Sequence, residues 1–156
     1  MKLRICAVGR LRKGPEKALI DDYAVRADRT GRALGLGPLS IHEVDERKAV
    51  SQSDEADGLR RMCPSGARVV ALDERGKTLS SPELAKTLAK WRDDGSAEAC
   101  FLIGGADGLL PEIREAADLN LSFGRLVWPH MLARVMLAEQ LYRATTILAG
   151  SPYHRA

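Results

Sequence analysis

The chain has 156 residues, enough for one domain with a sizeable core. Hydrophobic residues make up 45%, charged residues 29% and aromatics 4%, which excludes a disordered or collagen-like chain and calls for an aliphatic core. The 24 basic and 21 acidic residues leave a net charge of +3, which permits an anionic partner without demanding one.

In chain order, Lys2 to Val8 reads as a strand ended by Gly9. Gly14-Pro15 opens a helix to about Leu34, with Leu19, Ile20, Tyr23, Ala24 and Ala27 at helical spacing. A glycine-rich break over Gly35 to Pro38 precedes a second strand, Leu39 to Val44. Asp45 to Lys48 reads as a mobile loop, Ser51 to Met62 as a short polar helix and Pro64-Ser65-Gly66 as a turn. Val69-Val70-Ala71-Leu72 is continuously apolar, which predicts a strand from Arg68 to Leu72 buried on both faces of a parallel sheet. Ser81 is the expected N-cap of a helix to about Trp91, with Pro82 in its first turn. Ala99 to Ile103 is a further buried strand, running into Gly104-Gly105. Pro111 to Ala117 reads as a short helix, Leu119 to Trp128 as one or two short strands and Pro129 to Ala149 as the longest helix. A short tail, Ser151 to Ala156, closes the chain.

Strands alternating with helices predict one α/β domain over residues 1–156, with a mostly parallel sheet flanked by helices. In such folds a ligand lies at the carboxyl ends of the strands. Here those ends are Leu72-Asp73, Ile103-Gly104-Gly105 and Val127-Trp128-Pro129.

No apolar run reaches about 18 residues, so no membrane span is expected. Met1-Lys2-Leu3-Arg4 leads into an apolar run too short for a signal peptide. Cys6, Cys63 and Cys100 are odd in number and none forms a C-x-x-C pair. The expectation is three buried, reduced thiols, no disulfide, no metal site and a cytoplasmic setting.

Four stretches could carry chemistry. Ala71 to Thr78 approaches the phosphate-loop pattern G-x-x-x-x-G-K-[ST], but Ala71 replaces its first glycine and Asp73 and Glu74 place negative charge where phosphates would lie. Gly104-Gly105-Ala106-Asp107-Gly108 lacks dinucleotide spacing, and it suits a tight turn and a close ligand approach equally. Pro129 pre-sets a helix start, with His130 and Arg134 on one helical face. Glu139 and Arg143 are spaced for an ion pair. By sequence alone the His130–Arg134 pair reads as surface, and the Glu139–Arg143 pair as a solvated salt bridge. The tail brings together Tyr153, His154 and Arg155, residue types suited to stacking, proton transfer and phosphate contact.

The chain resembles the RlmH family, small SPOUT-class methyltransferases that act on pseudouridine in large-subunit ribosomal RNA. The matching stretches are Lys2 to Gly9, Leu72-Asp73 with Gly76-Lys77, Leu102-Ile103-Gly104-Gly105 with Gly108, and Pro129-His130 with Arg134-Val135. Glu139 to Ala144 and Pro152-Tyr153-His154-Arg155 complete the match, which spans the chain. The resemblance implies a SPOUT-type α/β knot, with a deep C-terminal trefoil, and a homodimer. It implies S-adenosyl-L-methionine as methyl donor, held by Leu72, Gly104 and Phe123, Gly124, Arg125, Leu126, Val127 and Trp128. It implies methylation at N3 of a pseudouridine in 23S rRNA. His154 is then the expected proton acceptor and Tyr153 stacks on or orients the base. Arg143 and Arg155 hold charge, and His130 and Glu139 support them. A small chain with so modest a charge is expected to recognise the assembled ribosome. Two rivals stand beside this reading: a non-catalytic ribosome-associated RNA-binding protein, and a flavodoxin-like nucleotide-binding enzyme using Gly76-Lys77-Thr78.

Overall fold

A computed structural model describes residues 1–155. Five strands, β1 (Lys2–Val8), β2 (Leu39–Val44), β3 (Arg68–Lys77), β4 (Glu98–Ile103) and β5 (Leu119–Leu121), form one sheet in the order β2-β1-β4-β3-β5. Every neighbouring pair is parallel. Five helices connect and cover them: α1 (Pro15–Gly31), α2 (Gln52–Met62), α3 (Ser81–Asp93), α4 (Pro111–Ala116) and α5 (His130–Leu148).

The alternation of side chains along each strand splits the core in two. Leu3, Ile5 and Ala7 of β1 join Val70 and Phe101 on the face covered by α1, α3 and α5. Cys6 and Val8 join Ala71, Cys100 and Leu102 on the face covered by α2 and α4. Burial on both faces is what continuous apolar runs in β3 and β4 require.

Three local expectations are corrected. The N-cap of α3 is Ser80, not Ser81. Ser80 Oγ accepts the Glu83 N–H at 3.3 Å, and Glu83 accepts the Ser80 N–H at 2.7 Å, a reciprocal capping box. β3 continues past Leu72 to Lys77, where it pairs with Leu121 across an irregularity. Gly76 is needed there, because a Cβ would stand 2.6 Å from the Asn120 backbone. A strand running through Gly76-Lys77 removes the phosphate-loop reading, which needs a loop feeding a helix at that point. Finally, only Leu119–Leu121 is strand; 122–129 is a loop, since its backbone finds no strand beyond β3 to pair with among the described residues.

The sheet order reverses direction between β1 and β4, which opens a crevice at the carboxyl ends of β1, β4 and β3. The loop 122–129 and the first turn of α5 close over it.

Candidate active site

A cavity of about 270 Å³ lies in that crevice. Leu72 comes from the middle of β3, Gly104 from the end of β4, and Phe123, Gly124, Leu126, Val127 and Trp128 from the loop before α5; all line it. Arg125 is exposed and is not among the lining residues. His130 and Asp73 complete the wall. A wider groove of about 570 Å³ runs between α1, α3 and α5, bounded by Leu19, Tyr23, Val135 and Glu139. Size does not decide between them. The smaller cavity sits where strand ends, a glycine turn and a helix start converge, as ligand sites in open α/β sheets do.

The glycine turn is built for closeness. A Cβ on Gly104 would lie 2.5 Å from the Gly108 backbone, so the turn folds tightly against itself. Gln52, at the start of α2, donates to the carbonyls of Asp107 and Gly108 at 3.1 and 3.2 Å and holds the turn in place. Glu55 lies beside Gly105, where burial and the nearby Asp107 and Glu46 charges push its carboxyl above its ordinary value. Across the cavity, the N–H groups of Leu126, Val127 and Trp128 meet no acceptor among the described residues. Apolar side chains next to unpaired backbone donors suit the face and edge of an adenine. The residues present therefore fit the methyl donor that the sequence resemblance implies.

Asp73 is anchored more tightly than its sequence context suggests. Burial pushes its carboxyl up, but the Arg75 side chain and backbone N–H, with Arg114 farther off, more than offset this and hold it below the ordinary aspartate value. A depressed carboxyl adds stability above its unfolded value and loses it as pH falls through the folded one. Asp73→Asn will therefore be less stable than the parent at neutral pH, and the gap will close below about pH 4. Chemical denaturation across that range checks this; a constant gap from neutral to acid would refute the ionic explanation.

His130 and Arg134 part company. His130 faces the cavity, with its ring beside Gly9. Arg134, expected at the surface, is 1% exposed. Its Nη1 donates to Glu43 at 2.8 Å and its Nη2 to the Val8 and Gly9 carbonyls, each at 3.1 Å. Burial lowers the guanidinium value and Glu43 counters it. The residue pins the first turns of α5 to the ends of β1 and β2.

Glu139, Arg143, Tyr153 and His154 form a second group. Tyr153 Oη donates to Glu139 Oε1 at 2.9 Å, and Arg143 Nε donates to the same oxygen at 3.0 Å. The Arg143 guanidinium stands 4.9 Å from the centre of the Tyr153 ring. That ring packs on Tyr142 with centroids 4.7 Å apart. Arg143 Nη1 meets His154 Nδ1 at 3.3 Å. The Glu139–Arg143 pair is thus the dock for the tail rather than a solvated bridge. Arg155 is exposed and takes no part. Burial, then the bond to Glu139, raises the Tyr153 phenol to about 12, so it remains a donor at physiological pH.

The two groups are far apart within one chain. His130 and Glu139 are nine residues apart on α5, about 14 Å along the axis, and Arg143 is about 20 Å away. Sequence reasoning missed Gln52, Glu55 and Glu43, whose partners lie far along the chain and leave no local signal.

A family model described as "Predicted SPOUT methyltransferase" matches residues 1–154. A solved structure, a probable methylase family protein from Haemophilus influenzae, shares the fold with a TM-score of 0.55 at 13% identity, covering 99% of this chain and 70% of that one. The fold is that of a SPOUT methyltransferase. Proteins named ribosomal RNA large subunit methyltransferase H are similar over nearly the whole length. That of Dinoroseobacter shibae is 63% identical and that of Ruegeria pomeroyi 61%, each over 99% of both chains. The chain belongs to the SPOUT methyltransferase family, within its RlmH branch.

Proposed function

We propose that the chain uses S-adenosyl-L-methionine to methylate N3 of a pseudouridine in 23S rRNA, on the assembled ribosome and as a homodimer. The observation that carries this is the convergence of Leu72, Gly104 and the 123–128 loop on one cavity with unpaired backbone groups. The names and high identity of the relatives support the ribosomal RNA substrate. As in the family, the fold would carry a deep trefoil knot within one domain over residues 1–156. Residues of the 122–129 loop line the crevice beside the ends of β3 and β4, as such a threading would require.

The bound cofactor would supply an electrophilic methyl group. The acceptor N3 is an imide nitrogen and must give up its proton as the bond forms. His154 takes that proton. At rest Nδ1 receives an Arg143 N–H, so the neutral ring carries its proton on Nε2. The lone pair at Nδ1 becomes free when Arg143 turns to a phosphate or to the developing imidate oxygen. Tyr153, held as a donor, orients the base.

The family resemblance implies a site shared between protomers, the tail of one completing its partner's cavity, and the roughly 20 Å along α5 between the docked tail and its own cavity supports this. Leu126 and Val127 are 72% and 82% exposed, with Trp128, Met131 and Leu132 beside them. An apolar strip of this kind at a cavity mouth fits a covered face. His154→Ala should lower methylation by about 10²–10⁴-fold. Mixing it with an inactive Gly104→Ala chain should restore about a quarter of the parent activity, because half of randomly formed dimers each keep one intact site. Methyl incorporation into ribosomes, with nucleoside mass spectrometry to locate it, reads both results. Parent-level turnover by His154→Ala would refute the base role. No recovery on mixing would refute the shared site. Equal activity on naked 23S rRNA would refute the need for the ribosome. A protein giving no heat with S-adenosyl-L-methionine would be the non-catalytic binder instead.

A further inference from the structure

The face of the sheet beneath α2 holds a feature that methyl transfer does not use. All three cysteines of the chain meet there, with their sulfurs within 4.8 Å of one another. Cys6 comes from β1, Cys100 from β4, and Cys63 caps the end of α2. Cys6 and Cys100 are fully buried, whereas Cys63 is half-buried and leaves a way in from solvent. The Cys63 thiol donates only a long 3.5 Å contact to the Leu59 carbonyl.

The spacing of these residues matches no linear motif, so the sequence alone predicts buried thiols without a metal. The fold supplies the convergence that the spacing hides. We propose that Cys6, Cys63 and Cys100 form a site for one thiophilic divalent cation of the zinc class, bound through three sulfurs with a fourth position open beside Cys63.

Three sulfurs with no carboxylate or imidazole in the set select soft or borderline ions over magnesium and calcium. A zinc–sulfur bond of about 2.3 Å puts two sulfurs on one tetrahedral ion about 3.8 Å apart. The thiols need close by about 1 Å at most, within the reach of side-chain rotation. Binding exchanges three S–H protons for three metal–sulfur bonds, leaving the bound set with one net negative charge. Arg4, which pairs with Glu98 at 2.9 Å, is the cation nearest in the sheet register to offset part of that charge. It pairs with Cys100 in the sheet register and donates to the carbonyl of Met62, the residue before Cys63, at 2.8 Å. Its buried Nε has no partner among the described residues. An ion here would tie the end of α2 to two strands, while Gln52 at the other end holds the glycine turn.

The test uses untagged, fully reduced, metal-free protein titrated with Zn²⁺ alone and with Cd²⁺ alone. One ion per chain by native mass spectrometry is expected. Sulfur-to-cadmium charge-transfer absorption, proton release and a higher thermal midpoint should accompany it. Cys63→Ala, at the half-buried position, should keep the parent circular dichroism and lose the ion. Cys100→Ala should lose it too. A reduced parent that takes no ion overturns the proposal, as does unchanged uptake by folded Cys63→Ala. A disulfide between two of the three thiols, in a protein that takes no ion when reduced, overturns it as well.

Discussion

Arg134→Met will lower folding stability by about 2–4 kcal/mol, the cost of leaving two buried carbonyls and a partly buried carboxylate without their donor. Methionine keeps the aliphatic bulk but gives up every hydrogen bond. Two carbonyls at the end of β1 and the Glu43 carboxylate then lose their donor. Glu43 retains only the Leu11 N–H, at 2.6 Å. Because β1 ends at the crevice, the loss will also loosen the cavity wall at His130 and weaken cofactor binding. Denaturant midpoints measure the first effect and calorimetry the second. Adding Glu43→Leu to Arg134→Met should recover part of the stability, since the orphaned carboxylate goes with it. A single variant within about 1 kcal/mol of the parent would show that water replaces the guanidinium without penalty.

Glu139→Ala will reduce methylation by about 10²–10³-fold, in the range of a lost proton-transfer arrangement. One carboxylate receives Tyr153, Arg143 and Gln140, so its removal frees all three together. Arg143 loses the carboxylate that positions it, and Tyr153 loses its only side-chain hydrogen-bond partner among the described residues. The fold should survive, because Glu139 is only partly buried and the α5 core residues Leu137, Ala138 and Leu141 stay packed. Glu139→Gln keeps a neutral acceptor and should fall between the two. Turnover on ribosomes, beside amide exchange over residues 151–155, reads both the loss of activity and the release of the tail. Parent-level turnover with a released tail would refute the role given to docking.

The strand ends and the glycine turn were legible because they depend on local rules. Continuous apolar runs mark buried strands, and glycines mark the tight exits that follow them. Leu72 and Gly104 therefore stand out locally, and with Leu126, which the resemblance supplies, they line one cavity. Arg134 did not, because an arginine on a helix normally faces water, and nothing local reveals that two carbonyls of β1 and a carboxylate of β2 await it. The irregular course of 122–129 was hidden for a similar reason. Leu126 and Val127 look like strand residues, but whether they pair depends on a neighbouring strand that the sheet does not provide. Glu139 and Arg143 were visible as a pair. Their use as a dock was not, since it depends on the chain doubling back after α5.

The loop from Gly124 to Trp128 faces two ways: it lines the cavity, while Leu126 and Val127 still leave most of their surface exposed. An occupant on either side must order the same short stretch of chain. Once one has done so, the other meets a smaller entropic cost. Thermodynamic reciprocity then makes the effect symmetrical: the factor by which a ligand in the cavity strengthens contact on the outer side equals the factor by which that contact strengthens the ligand. In the proposed dimer, loading and assembly would be two measurements of one coupling constant.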